Sequence, residues 1–110
     1  MSATLQVINF VNEAADIKNY KNIRLTSAND HVIRMSVMTE AFYWHYHPNT
    51  DETFLVIEGI LIIDLEESTL ELTPGELVTI PAGLKHRTRP GGGRSVNLTF
   101  ELAELQTIKC

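Results

Sequence analysis

At 110 residues, with 44% hydrophobic and 21% charged residues, the chain has the length of one folded domain and is too apolar to be largely disordered. Its formal net charge of −5 repels phosphate backbones, and Arg87, Arg89 and Arg94, the one loose basic cluster, read as solvated charge, so nucleic acid is not an expected partner. A single cysteine, Cys110, excludes an internal disulfide; with no signal-like start and no apolar run of membrane-spanning length, no membrane partner is expected and the cytoplasm is the expected compartment.

Along the chain, residues 5–8 suit an edge strand and residues 12–16 a short helical turn capped by Asn12 or Asn9, the one helix-like piece. Strands and turns follow. Residues 22–26 form a candidate strand and 27–30 a turn. Residues 31–38 alternate, with His31, Ile33, Met35 and Val37 on one face and Val32, Arg34, Ser36 and Met38 on the other. An aromatic-rich strand over 41–47 leads into a turn at 48–51. Two strongly apolar strands, 52–58 and 60–66, are divided by Gly59, and strands at 69–72, 76–80, 84–88 and 94–102 complete the set. Short strands at this even spacing predict an all-β sandwich or barrel. Residues 54–65 are apolar on both faces, whereas an antiparallel strand with one wet face should alternate. Those strands are therefore expected to be covered twice, once by the core and once by the N-terminal strand or a second subunit, and a homodimer is expected.

The chemistry concentrates in His45-Tyr46-His47-Pro48-Asn49-Thr50-Asp51-Glu52. Histidines at i and i+2 of a strand share a face, so both rings can reach one ion. A turn then places Glu52 at the head of the next strand, and His86 arrives from a distant strand entered through Pro81-Ala82-Gly83. Singly, each residue has an ordinary explanation. An H-x-H pair is weak, glycines and prolines mark turns, and His31 has no partner spacing. The weight lies in the joint pattern.

That pattern resembles the cupin superfamily, whose two motifs read G-x5-H-x-H-x4-E-x6-G and G-x5-P-x-G-x2-H-x3-N. His45, His47, Glu52 and Gly59 match the first, over 39–59; Gly75, Pro81, Gly83 and His86 match the second, over 75–90. Thr39 stands where the first motif opens with Gly, and Pro90 where the second closes with Asn, which puts a supporting hydrogen bond in doubt but no ligand. The resemblance implies a cupin-type double-stranded β-barrel (jelly roll) as a single domain over 1–110. It implies His45, His47 and His86 as imidazole ligands and Glu52 as the carboxylate of one divalent metal, and this nitrogen and oxygen donor set suits a transition metal such as Fe, Mn, Ni, Zn, Co or Cu. Asp51, the competing carboxylate, is one position short and should face the turn and solvent.

Four protein ligands leave open positions on the ion, and a residual charge of about +1 favours anionic or chelating small molecules. Strand alternation carries Tyr43 inward with His45 and His47, Phe54 inward with Glu52, and Thr88 inward with His86; these three are the expected pocket lining. Trp44, Tyr46, Arg87 and Arg89 should face away, and Arg34, Ser36, Glu40 and Asn97 could add polarity. Two functions remain open. One is a metal-dependent dioxygenase or isomerase acting on a small oxygen-rich or aromatic molecule. The other is a non-catalytic cupin that binds a small ligand, senses, or is structural.

Overall fold

The computed structural model describes residues 5–110. Helix α1 (Phe10–Ala15) is capped by Asn9, whose side-chain oxygen accepts the Asn12 amide at 3.0 Å. Six residues cannot sustain a helix alone. Phe10 and Ala14 pack on the apolar outer face of a sheet, and Arg94 donates to the carbonyls of Ala14 and Ile17 at the helix's far end. Residues 5–8 are not a strand: they join no sheet, and Leu5 and Val7 stand 96% and 99% exposed. Their alternation supplies the pattern of a strand without a neighbour to pair with.

Among the described residues, ten strands form two five-stranded antiparallel sheets. The first holds β1 (Lys21–Ala28), β2 (His31–Met38), β4 (Glu52–Glu58), β7 (Leu77–Ile80) and β9 (Ser95–Leu102), in the order β1-β2-β9-β4-β7. The second holds β3 (His45–Tyr46), β5 (Leu61–Leu65), β6 (Thr69–Leu72), β8 (His86–Pro90) and β10 (Ile108–Lys109), in the order β10-β3-β8-β5-β6. This is the jelly-roll arrangement expected from the motifs. The aromatic strand is shorter than its sequence suggests. Only His45 and Tyr46 join the ladder, while the Phe42 and Tyr43 rings stack on each other at 4.1 Å. Strand β10 has no counterpart in the sequence pattern, since two residues carry no periodicity.

Met38, Phe54, Val56 and Ile80 from the first sheet meet Leu61, Ile63 and Leu72 from the second to form the core between them. The outer face of the first sheet carries a second cluster, in which Leu55 and Ile57 of β4 join Met35, Val37, Val96 and Leu98 under α1. The apolar character of both faces of β4 thus has its cause: the N-terminal segment does cover the outer face, as a helix rather than a strand. The three arginines read as solvated are paired. Arg87 and Arg89 on β8 both donate to Asp64 on β5, with contacts of 2.8 Å each, and Arg94 donates to Glu58 at 2.8 Å. Hydrogen bonds from Arg89, and then from Arg87, bring the Asp64 carboxyl down to about 2 against the effect of burial.

Gly59 links β4 to β5 with φ +70, and a Cβ there would fall against the carbonyl oxygen of Arg94. Glycine is required at this position both by the left-handed backbone and by that close approach.

Candidate metal centre

The four candidate donors come from both sheets. His45 and His86 are cross-strand partners on β3 and β8, and His47 follows two residues after His45 on the same face. Glu52 faces them from the head of β4 in the other sheet. The connection is fixed by its own hydrogen bonds. Asn49 accepts the Gln106 amide at 2.8 Å, Thr50 accepts the Leu102 amide at 3.1 Å, and Asp51 accepts the Ala82 amide at 2.9 Å. Asp51 is therefore exposed and turned to the loop, as its spacing indicated.

All three imidazoles are anchored alike. Nδ1 of His45 lies 2.8 Å from the Tyr43 carbonyl, Nδ1 of His47 lies 2.9 Å from that of Gln106, and Nδ1 of His86 lies 2.9 Å from that of Leu84. A carbonyl only accepts, so Nδ1 carries a proton, and in the neutral ring Nε2 keeps its lone pair. Nε2 of His47 and of His86 each lie 3.3 Å from Oε1 of Glu52. All four donor atoms lie within 4.8 Å of one another, and all four residues are buried. Donors on one ion with bonds of roughly 2.0–2.2 Å sit at most about 4.4 Å apart, so an inward movement of a few tenths of an ångström suffices. Nε2 of His47 is buried and meets the Glu52 carboxylate at 3.3 Å without hydrogen-bond geometry, a site of the kind a cation satisfies. The residues fit a divalent metal, and the backbone carbonyls behind the histidines are the supporting contacts that orient metal-binding imidazoles.

Burial and the Glu52 carboxylate set the electrostatics of the cluster. Burial lowers the His45 pKa, which favours the neutral, ligating form. Burial would raise Glu52, but hydrogen bonds from His47 and His86 outweigh it and hold the carboxylate well below its usual range. In the same way burial would lower His47, and the Glu52 carboxylate beside it wins and raises it.

A cavity of about 170 Å³ opens beside the cluster, lined by Tyr20, Arg34, Tyr43, His45, His47 and Glu101 among others. Tyr43 is thus at the cavity wall. Phe54 and Thr88 are not among its lining residues. Phe54 is part of the core, its ring edge-on to His86 at 6.1 Å, and Thr88 is buried in the barrel interior. Both side chains are buried inside, but the inside of a filled barrel is mostly core rather than pocket. A larger hollow of about 450 Å³ lies elsewhere, lined by Trp44, Leu65, Glu66, Lys85 and Cys110, and gathers no comparable donor set.

The sequence reading missed Glu101. Thr53 pairs with Phe100, and one further step of that antiparallel register sets Glu101 beside Glu52. Its side chain is buried, 3.4 Å from Nε of Arg34, and burial followed by the neighbouring Glu52 pushes its carboxyl up to about 9. The signal was available: Asn97 was already a candidate polar contributor, and two further steps of two along its strand reach Glu101.

Residues 32–99 match the model of the cupin domain family. The chain is 36% identical to YdbB of Bacillus subtilis (strain 168) over 109 residues, covering 98% of this chain and 94% of that protein. It is also 36% identical over 61 residues to CurC of Streptomyces cyaneus, described as a polyketide synthase, covering 56% of this chain but only 40% of CurC. Among solved structures, a cupin-2 domain containing protein from Shewanella frigidimarina NCIMB 400 superposes with a TM-score of 0.80 at 28% identity, covering 87% of this chain and 94% of that one.

Proposed function

Because this chain belongs to the cupin domain family, we propose that it binds one divalent transition metal on His45, His47, Glu52 and His86 and turns over a small oxygen-rich or aromatic molecule there, as a dioxygenase or isomerase. The observation that carries the proposal is the common orientation of the three rings, each with Nδ1 tied to a main-chain carbonyl and Nε2 left for the centre. When bound, the ion supplies Lewis acidity and, if redox-active, a route to oxygen chemistry. The chain's own groups do the rest. Four protein donors leave positions open to the cavity, Tyr20 and Tyr43 offer it flat apolar walls with hydroxyl tips, and Arg34 and Glu101 give it a charged side. Its small volume suits a compact ligand rather than a drug-sized one. The polyketide synthase description of CurC favours a ligand rich in carbonyl oxygens.

The test is metal analysis of protein purified without chelator or imidazole, followed by oxygen uptake with catechols, thiols and diketones. Close to one iron per chain with substrate-dependent uptake supports the dioxygenase. Zinc or nickel with substrate interconversion supports the isomerase. Stoichiometric metal with no turnover makes the protein a ligand-binding or sensing cupin, and absence of metal ends the proposal.

The proposal includes a homodimer in the cytoplasm. Leu5, Val7 and Val11 are exposed apolar side chains at the N-terminal end, and a second copy would cover them. Cys110 is exposed and unpaired, which suits a reducing compartment. Among the described residues, no helix is long and apolar enough to cross a membrane.

A further inference from the structure

We propose that Arg34 makes the cavity a site for chelating acids that carry a second anionic group: one end of the molecule takes the open positions on the ion, and the other is held by the guanidinium. This rests on the metal assignment above and adds a ligand class to it.

Arg34 lies on the inner face of β2, in the row Val32, Arg34, Ser36 and Met38, of which the other three are buried. An arginine pointing into a barrel is costly unless its charge is used. Its one ionic contact is loose, Nε to Oε1 of Glu101 at 3.4 Å. Neither terminal amino group donates a hydrogen bond to another described residue, and Arg34 lines the same cavity as His45, His47 and Glu52. The planar guanidinium therefore offers two parallel donors, the geometry that grips a carboxylate. Asn22, which also lines the cavity, is held in place by its bond to Ser36 at 2.7 Å.

Charge points the same way. With a divalent ion in place and both Glu52 and Glu101 counted as fully ionised, Arg34 still leaves the pocket with a net charge of about +1. The three imidazoles are neutral as ligands and do not change that balance. Neutral ligands satisfy only the ion. An α-hydroxy or α-oxo acid with a second carboxylate satisfies both centres, and Oε2 of Glu101, buried without a partner, is left to hydrogen-bond a polar group on the same molecule.

The test uses L-malate and L-lactate, which share an α-hydroxy acid chelating group and differ by the second carboxylate. The cobalt(II)-loaded full chain is titrated with each, and the cobalt absorption bands report binding. The wild type should bind malate at least about tenfold more tightly than lactate. Arg34→Gln should abolish that preference while leaving lactate affinity within about threefold, and Arg34→Lys should restore part of it. An unchanged malate-to-lactate ratio in Arg34→Gln overturns the subsite, and so does parallel weakening of both acids, which would mean that Arg34 only props Glu101. Failure of the wild type to develop cobalt bands at all overturns the metal assignment and the subsite with it. Thermal melting of Arg34→Gln and Arg34→Lys confirms that the comparison is between folded proteins.

Discussion

Alanine at His86 is expected to leave less than about a tenth of a metal ion per chain, against close to one in the wild type, and His45→Ala should do the same. His86 is 1% exposed and lies directly across the ladder from His45, so no water-exposed side chain can swing in to replace it. Weakening a contact behind a ligand already costs roughly 10–100-fold in metal affinity, and deleting the ligand should cost more. Elemental analysis after gel filtration reads the outcome, with circular dichroism to show that the sheets persist. Stoichiometric metal in both variants would mean that the imidazoles are not the donors. Protons should compete for the same atoms. As pH falls through roughly 6, metal should leave the wild type, because ligation needs neutral imidazole. Burial favours the neutral form of His45, whereas the Glu52 carboxylate favours the charged form of His47, so His47 should protonate at a higher pH than His45. Occupancy unchanged at pH 4.5 would count against histidine ligation.

The second large effect is on stability. Gly59→Ala should destabilise the fold by about 3 kcal/mol, whereas Gly75→Ala should cost only about 1 kcal/mol. Both glycines have positive φ, +70 and +90, so both substitutions carry the left-handed penalty. Only Gly59 adds a collision, because its Cβ would meet the Arg94 carbonyl, while nothing lies within 4 Å of a Cβ at Gly75. Main chain cannot rotate out of the way as a side-chain tip can, so Arg94 would have to shift. Arg94 in turn holds Glu58 and the carbonyls at the end of α1. Urea unfolding of the two variants gives the difference directly. Equal losses would show that the close approach at Gly59 is relieved without cost.

What the sequence made legible follows from the range over which each signal acts. Strand existence is a local matter of alternation and turn chemistry, and β2, β4 and β6 lie where the pattern put them. The buried candidate cluster was legible because its spacing fits a known motif pair, although only closure of the barrel brings His86 onto Glu52. Pairing between strands is not written locally. Arg87 and Arg89 read as solvated because their common partner, Asp64, lies more than twenty residues away on β5. Residues 5–8 alternate like a strand but lack a neighbouring edge, and β10 has a neighbour in β3 but too few residues to alternate. Glu101 was hidden by its chemistry: acidic residues are rarely placed inside a barrel. Arg34, diagonal to it across β2 and β9, supplies the counter-charge that a single strand's pattern does not reveal.

The central claim, that side chains from two sheets share one cation, is tested most directly by anomalous diffraction at the absorption edge of the metal that co-purifies with the protein. One peak is predicted per chain, about 2.0–2.2 Å from Nε2 of His45, His47 and His86 and from a carboxylate oxygen of Glu52. A peak at other residues, or none after soaking with cobalt or iron while these four side chains stay splayed, would contradict it.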